Sequence, residues 1–203
     1  MVLSDVLNVL KGSLESTGLF YTIYPIAEIK RTIEQGRPRT FPAAPKGQGQ
    51  YINIELDSSG GMTYFRRNGS VNLRAARADD IPRIQITSCG KADDYYVMGY
   101  SFKQVCFIDK DKAGCIDGFE DDSLAYQIIA AVSDAEISIN DVVSTSVTAS
   151  QYETDRLKVL QGEYSNYSEI NDLNYNYAYF SIDWDLQIIA KKTCLNPCEV
   201  NYN

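Results

Sequence analysis

The feature that most constrains the fold is a run of alternating residues near the C-terminus, Tyr177–Lys192. Every second side chain is apolar, and most of the intervening ones are polar or tyrosine. The apolar series is Ala178, Phe180, Ile182, Trp184, Leu186, Ile188 and Ala190. A period of two over this length predicts a long strand with one buried face. Because this series holds the only tryptophan of the chain, we expect the core to be built against it, with the tyrosine-lined side open to a neighbouring subunit.

Two apolar stripes at helical spacing predict amphipathic helices elsewhere in the chain. The first predicts an N-terminal helix that ends before Gly18, and its members are Leu3, Val6, Leu7, Leu10 and Leu14. The second predicts a helix over Ser123–Asp134, capped by Asp121 or Asp122, and its members are Leu124, Ala125, Ile128, Ile129, Ala131 and Val132. A shorter helix is predicted over Ser150–Gln161.

Strand patterns account for much of the remaining chain. The predicted strands are Leu19–Tyr24, Tyr51–Leu56, Met62–Arg67, Val71–Leu73, Arg83–Ser88, Tyr95–Ile108 and Ile137–Val147. We expect the first to stop at Pro25, Ile26–Gln35 to be a helical turn or a second strand, and the strands between Tyr51 and Arg74 to form a hairpin or meander. Strands without regular helical alternation predict an α+β fold: a mixed, mainly antiparallel sheet with helices packed on one face and a β-hairpin and loop insertion.

The length of 203 residues predicts one domain over 1–203, with 36–83 as the insertion. Within it, Gly36–Gly49 combines three prolines, three glycines and three basic residues without periodicity, which predicts a long exposed loop. The basic residues from Arg37 to Lys46, with Phe41 between them, can contact phosphates. The acidity of the whole chain and the lack of a phosphate-binding glycine motif argue against sequence-specific nucleic-acid binding.

Composition narrows the function classes. The chain has 15 tyrosines and no histidine. Histidine is the commonest general base and a favoured metal ligand, so its absence argues against most hydrolase, transferase and zinc-enzyme chemistry. We expect no catalytic residues, no cofactor and no membrane span.

Charge is divided unevenly along the chain. Residues 1–83 carry 11 basic and 8 acidic side chains, whereas 84–203 carry 8 basic and 19 acidic ones. The first part therefore has a balance of +3 and the second of −11. A basic surface on one side and an acidic surface on the other would suit head-to-tail or ring assembly. Solvated charges without a partner are the alternative.

The stretch Asp109–Glu120 matches an EF-hand calcium loop at positions one, three, six, eight, nine and twelve. Position five is Ala113, which offers no side-chain oxygen. Strand periodicity also precedes the loop where an EF-hand needs a helix. An acidic connection between a strand and a helix is therefore the alternative to a calcium site.

Two other sets of residues are candidate sites. Asp183 and Asp185 share the polar side of the last predicted strand, and paired carboxylates can process glycans. We expect them instead to be solvated or paired with a neighbouring lysine or arginine. The cysteines are Cys89, Cys106, Cys115, Cys194 and Cys198. Cys194 and Cys198 lack the two-residue spacing of zinc pairs, and we expect unpaired thiols that stay reduced after synthesis in the cytoplasm. A zinc site completed by Cys89, Cys106 or Cys115, or a local disulfide between Cys194 and Cys198 outside the cell, is the alternative.

The order of elements resembles that of the tail-terminator and neck proteins of tailed bacteriophages. The resemblance covers residues 1–20 and 95–198: an amphipathic helix, a long strand, a helix, a strand, a short helix and the terminal Tyr-Phe-Ser-Ile-Asp-Trp-Asp-Leu strand. The sequence Cys194-Leu195-Asn196-Pro197-Cys198 follows that strand. Residues 36–83 depart from the compact form of the family as an insertion.

The resemblance implies a virion structural protein without enzymatic activity. Such a protein is assembled in the host cytoplasm and forms a homo-oligomeric ring, often a hexamer, at the head–tail junction. Its partners are neighbouring connector, neck or tail proteins, and packaged DNA passes close to it. A calcium-binding module built on Asp109–Glu120 is the alternative function.

Overall fold

The computed structural model describes residues 2–54, 61–69, 71–77, 79–80, 94–113, 120–140, 142–168, 170 and 176–191. Its helices are α1 (Val2–Ser16), α2 (Lys110–Ala113, a single turn), α3 (Glu120–Ser133) and α4 (Arg156–Glu163). Its strands are β1 (Thr22–Glu34), β2 (Arg37–Gly47), β3 (Gln50–Asn53), β4 (Met62–Arg67), β5 (Asn72–Ala75), β6 (Tyr95–Asp109), β7 (Val142–Glu153) and β8 (Tyr177–Lys191).

The described strands form one sheet in the order β3-β2-β1-β4-β6-β8-β7, and β5 pairs with β6 beside β4. All pairs are antiparallel except β1 with β4, which is parallel. This mixed, mainly antiparallel sheet with helices confirms the α+β prediction.

The sheet is centred on β6 and β8, which pair without interruption from Tyr95 opposite Lys191 to Asp109 opposite Tyr177. Every member of the apolar series of β8 is buried in the main core, as the alternation predicted. Strand β6 also has neighbours on both sides, and its C-terminal end is buried on both faces, as expected for a central strand.

Helices α1 and α3 cover this apolar side of the sheet, and both predicted stripes lie in or against the main core, except for Ala131, which is half-buried outside it. Helix α3 begins at Glu120, earlier than predicted. Asp121 and Asp122 therefore lie within its first turn and not at its cap. Helix α4 packs against the other side of the sheet, through Val159 and Leu160. The prediction that helices pack on one face therefore applies to α1 and α3 only.

A buried polar chain crosses the main core. The indole Nε1 of Trp184 donates to Oε1 of Gln104 at 2.9 Å, and Nε2 of Gln104 donates to Oγ1 of Thr63 at 3.2 Å. The Thr63 hydroxyl donates in turn to the carbonyl of Val105 at 2.9 Å. Each polar group in this series of hydrogen bonds has a protein partner, which replaces the water that burial excludes.

The strand predictions for 19–49 need correction. Strand β1 does not stop at Pro25 but continues through it, with a register shift against β4 between Tyr24 and Ala27. Proline is tolerated in strands at such irregularities because no ladder hydrogen bond is required of its nitrogen. The predicted loop Gly36–Gly49 is mainly the strand β2, which pairs with β1 and β3.

Two tight turns at glutamine–glycine pairs produce this unexpected hairpin arrangement. Gln35 and Gly36 have φ values of 50° and 77°, and Gln48 and Gly49 have 50° and 74°. Positive φ at both central residues is the conformation that matches the twist of a two-residue β-hairpin. The sequence signal was weak because asparagine or aspartate, rather than glutamine, usually precedes glycine in such turns.

The predicted meander between Tyr51 and Arg74 is wrong, although strands do occur there. Strand β3 pairs with β2, β4 lies between β1 and β6, and β5 pairs with β6. The predicted strand Ile137–Val147 is shifted, since β7 runs from Val142 to Glu153. Helix α4 begins correspondingly late, where Asp155 caps it by accepting hydrogen bonds from the backbone nitrogens of Leu157 and Lys158. The predicted strand Arg83–Ser88 lies outside the described residues.

Candidate functional site

On the side of the sheet opposite α1 and α3, Tyr95, Val97 and Ile189 are buried with Ala76 near one end of β8. Helix α4 covers the other end. There α4 and Tyr164 pack on Tyr64, Phe107 and Tyr179. The guanidinium of Arg156 also lies 4.2 Å from the centre of the Tyr179 ring. The tyrosine-lined side of β8, which we expected to face a neighbouring subunit, is therefore covered at this end by the chain's own helix.

A buried ion cluster holds α4 in place. The Glu163 side chain is 1% exposed and accepts hydrogen bonds from Tyr64 Oη and from Arg66 Nη2, both at 3.0 Å. Burial raises the pKa of Glu163, and the neighbouring Arg66 charge opposes this rise. Burial, together with the Glu163 charge, also raises the pKa of Tyr64. The cluster is a structural contact between α4 and β4.

Beyond α4, the same side of the sheet contains a polar cleft of about 310 Å³. Its polar lining consists of Asn72, Ser101, Ser146, Thr148, Asp185 and Gln187. Ser101 Oγ donates to Asp185 Oδ1 at 2.9 Å across the β6–β8 pair. The cleft can offer hydroxyl, amide and carboxylate groups to a polar molecule.

Asp183 lies on the same side of β8 as Asp185, as predicted. Its Oδ2 accepts a hydrogen bond from Gln151 Nε2 at 2.7 Å, and its Oδ1 is buried without a hydrogen-bond partner among the described residues. Lys103 is its direct neighbour on β6. The expectation was that these carboxylates would be solvated or paired with lysine or arginine. Asp185 is exposed, and the observed hydrogen bonds to the two carboxylates come from neutral side chains, Ser101 and Gln151.

The EF-hand-like stretch is only partly described, since 114–119 lie outside the described residues. Asp109 is the last residue of β6, and its Oδ1 accepts a hydrogen bond from the backbone nitrogen of Asp111 at 3.1 Å. Lys110 pairs with Asp121 at 3.1 Å. Within the described part, no group of three or more cysteine, aspartate or glutamate side chains is placed to hold a metal ion. Calcium binding stays a prediction.

Of the five cysteines, only Cys106 lies among the described residues. It is a free thiol in the main core, and burial raises its pKa to about 12. The predictions for Cys89, Cys115, Cys194 and Cys198 concern positions outside the described residues.

A projecting hairpin, which the sequence analysis missed, extends from one end of the sheet. Its seven residue pairs run from Glu28 opposite Ala43 to Glu34 opposite Arg37, whereas β4 pairs with β1 only as far as Ala27. At about 3.3 Å per residue, this hairpin is about 20 Å long. Residues 31–38 are all exposed. We call residues 28–43 the arm.

The arm is fixed at its base and free at its tip. The backbone nitrogen of Thr40 donates to Ser165 Oγ, and the backbone nitrogen of Ser165 donates to the carbonyl of Thr40, both at 3.1 Å. The ammonium of Lys30 lies 3.6 Å from the centre of the Tyr51 ring. The alternating residues of the arm are a weak strand signal, and the prolines together with Gly36 indicate a loop more strongly.

The other end of the sheet is acidic. Residues 120–155, which include α3 and β7, contain eight acidic side chains and no lysine or arginine. Within the described part of the chain, β7 pairs only with β8, so its outer edge is open. The strand also contains no lysine or proline, the residues that commonly block edge-to-edge pairing. Lys110 pairs with Asp121, and Lys158 pairs with Glu153 and Asp155. Asp122, Asp134 and Glu136 form no ion pair among the described residues, so this end of the sheet is suited to a partner with basic groups.

The chain matches no protein-family model, and no curated protein matches its sequence. None of the helices in the described part is long and apolar enough to cross a membrane.

Proposed function

We propose that this protein is a structural subunit that assembles with copies of itself into a ring at the head–tail junction of a tailed bacteriophage. The observation that carries the proposal is the difference between the two ends of its sheet. One end has the projecting arm with several basic residues. The other has α3 and β7, and every charged residue of 120–155 is acidic. Two complementary surfaces at opposite ends of one subunit favour head-to-tail contacts, which close into rings when the rotation between copies permits.

The order of elements supports placing the ring in a phage particle. The resemblance to tail-terminator and neck proteins rests on a helix followed later by a strand, a helix, a strand, a short helix and a final strand. The chain contains these elements in that order as α1, β6, α3, β7, α4 and β8. In this role the partners are neighbouring connector, neck or tail proteins, and the mature location is the virion.

The proposed role is structural and not enzymatic. The carboxylates on the side of the sheet opposite α1 and α3 support this proposal, because Asp183 and Asp185 accept hydrogen bonds from an amide and a hydroxyl. Such contacts orient the carboxylates without providing the paired acid and base of a glycosidase.

Mass photometry of the purified protein, followed by negative-stain imaging, tests the proposal. We expect closed rings at micromolar subunit concentration, with the mass of a hexamer or a dodecamer. Added sodium chloride should weaken the assembly, because charge complementarity between exposed surfaces is screened by salt. A monomer at micromolar concentration in low salt would contradict the proposal.

A further inference from the structure

The exposed tip of the arm has two faces with different chemistry. Successive side chains in a strand alternate between faces, and Ile33 pairs with Pro38. Arg31 lies two residues from Ile33 and therefore shares its face. Arg37, opposite Glu34, lies on the other face. We call Arg31, Ile33 and Pro38 the tip face; it is apolar with one cationic group.

The tip face is accessible. Ile33 is 76% exposed. Arg31 forms no ion pair among the described residues, whereas the nearby Lys30 and Arg39 pair with glutamates of the same hairpin. An exposed isoleucine beside an unpaired arginine can contact an apolar surface that also carries a carboxylate.

A surface with that chemistry lies at the opposite end of the sheet. Tyr126 of α3 and Tyr152 of β7 are 59% and 40% exposed, and their ring centres are 5.8 Å apart. Their hydroxyl oxygens are 3.4 Å apart. This hydrogen bond and the charge of Asp122 raise the pKa of Tyr152. Asp122 is exposed and forms no salt bridge among the described residues. We call Asp122, Tyr126 and Tyr152 the tyrosine patch.

We propose that the tip face of one copy docks on the tyrosine patch of the next copy. In this contact Ile33 and Pro38 pack against the two tyrosine rings, and Arg31 pairs with Asp122. Aromatic residues and arginine are the side chains that most often dominate the affinity of such contacts. This inference rests on the proposed ring function and specifies the surfaces that would join its subunits.

Charge identifies a second copy as the occupant of the patch. The patch lies within 120–155, where every charged side chain is acidic, so it favours a partner that presents an unpaired cation. The tip face presents such a cation on the same chain. Because the tip face and the patch lie at opposite ends of one sheet, they are suited to a repeating contact between copies and not to a contact within one copy.

A charge exchange between the two surfaces tests the contact. Arg31→Glu places a carboxylate against Asp122, and Asp122→Arg places two cations together. We expect each single variant to raise the subunit dissociation constant about tenfold or more, measured by sedimentation velocity and mass photometry. The double variant, in which the opposite charges have exchanged places, should regain most of the lost affinity.

The structure provides a matched control on the same hairpin. Arg37 is exposed and forms no ion pair among the described residues, like Arg31, but it lies on the other face of the arm. Arg37→Glu should therefore leave assembly within about twofold of the unchanged protein. Ile33→Asp should weaken assembly at least as much as Arg31→Glu, because it removes the apolar contact. Far-ultraviolet circular dichroism verifies that each variant folds.

The outcomes separate the inference from the proposed function. Disruption by Arg31→Glu and by Asp122→Arg, with recovery in the double variant, would support the docking contact. Rings that tolerate Arg31→Glu and Ile33→Asp would overturn the contact and leave the ring function standing. Failure of the unchanged protein to assemble at all would overturn both.

Discussion

The hydrogen bond between Trp184 and Gln104 provides a sharp test of how the core is held together. Gln104 is fully buried, and its Oε1 accepts the indole proton at 2.9 Å. The substitution Gln104→Leu keeps most of the side-chain volume but leaves the indole N–H without a partner. A buried donor that loses its partner costs about 1–3 kcal/mol, so we expect the free energy of unfolding to fall by about 2 kcal/mol.

The indole N–H can be removed in a second substitution. Trp184→Phe removes the indole N–H, so in this background the loss of Gln104 leaves no indole donor unpaired. The cost of Gln104→Leu should therefore fall by about 1–2 kcal/mol in that background, which appears as a coupling energy in a double-mutant cycle. For a chain of this length, a loss of about 2 kcal/mol lowers the melting temperature by about 4–8 °C.

Urea unfolding followed by circular dichroism measures the cycle. Fluorescence is unsuitable because Trp184 is the only tryptophan. As a control, Leu186→Ala removes core volume from the same strand without touching the hydrogen-bonded chain, so its cost should add to that of Gln104→Leu. Additivity of Gln104→Leu and Trp184→Phe within about 0.5 kcal/mol would refute the reasoning.

Three other measurements test separate parts of the structure. Burial raises the pKa of Glu163 above 4.5, so the folded state binds this proton more tightly than the unfolded state. The free energy of unfolding, relative to that of Glu163→Gln, should therefore fall as pH rises from 4.5 through the folded-state pKa. A difference between the two proteins that does not change with pH would contradict this. Cys106 has a pKa of about 12, so it should resist iodoacetamide in the folded protein and react after unfolding in urea. Peptide mass spectrometry measures the labelling, and rapid labelling of the folded protein would show an accessible thiolate. A β-carbon at Gly61 would collide with the carbonyl oxygen of Leu19, so Gly61→Ala should lower the unfolding free energy by about 1–3 kcal/mol. The control is Gly12→Ala on α1, where a β-carbon meets open space and no such loss is expected. Equal effects of the two substitutions in urea unfolding would argue against the close approach at Gly61.

At the candidate site, the sequence predicted the position of the two carboxylates but not their hydrogen-bond partners. The carboxylates of β8 were placed on one side of a strand correctly, because their two-residue spacing fixes that placement. Their partners were not predicted, because Gln151 and Ser101 come from strands 32 and 84 residues away along the chain. The tyrosine patch was missed for the same reason, since Tyr126 and Tyr152 meet only when α3 packs beside β7.

The arm was missed for a different reason. Its second strand contains prolines, whose local preferences indicate a loop, and its turn uses Gln35 and Gly36 in place of a stronger hairpin pair. Pairing with β1 overrides those preferences, because each residue of β2 from Arg37 to Ala43 lies opposite a partner. Strand propensity is known to depend on such context.

The sequence by itself determined the buried faces of the long strand β8 and of the helices α1 and α3. A face is set by spacing along the chain, at two residues for a strand and about 3.6 for a helix, and spacing is visible without any partner. The tertiary structure decided which strands pair, that β4 enters the centre of the sheet parallel to β1, and that α4 covers the side opposite the other helices. These features depend on contacts between residues far apart in the chain, which local periodicity does not specify.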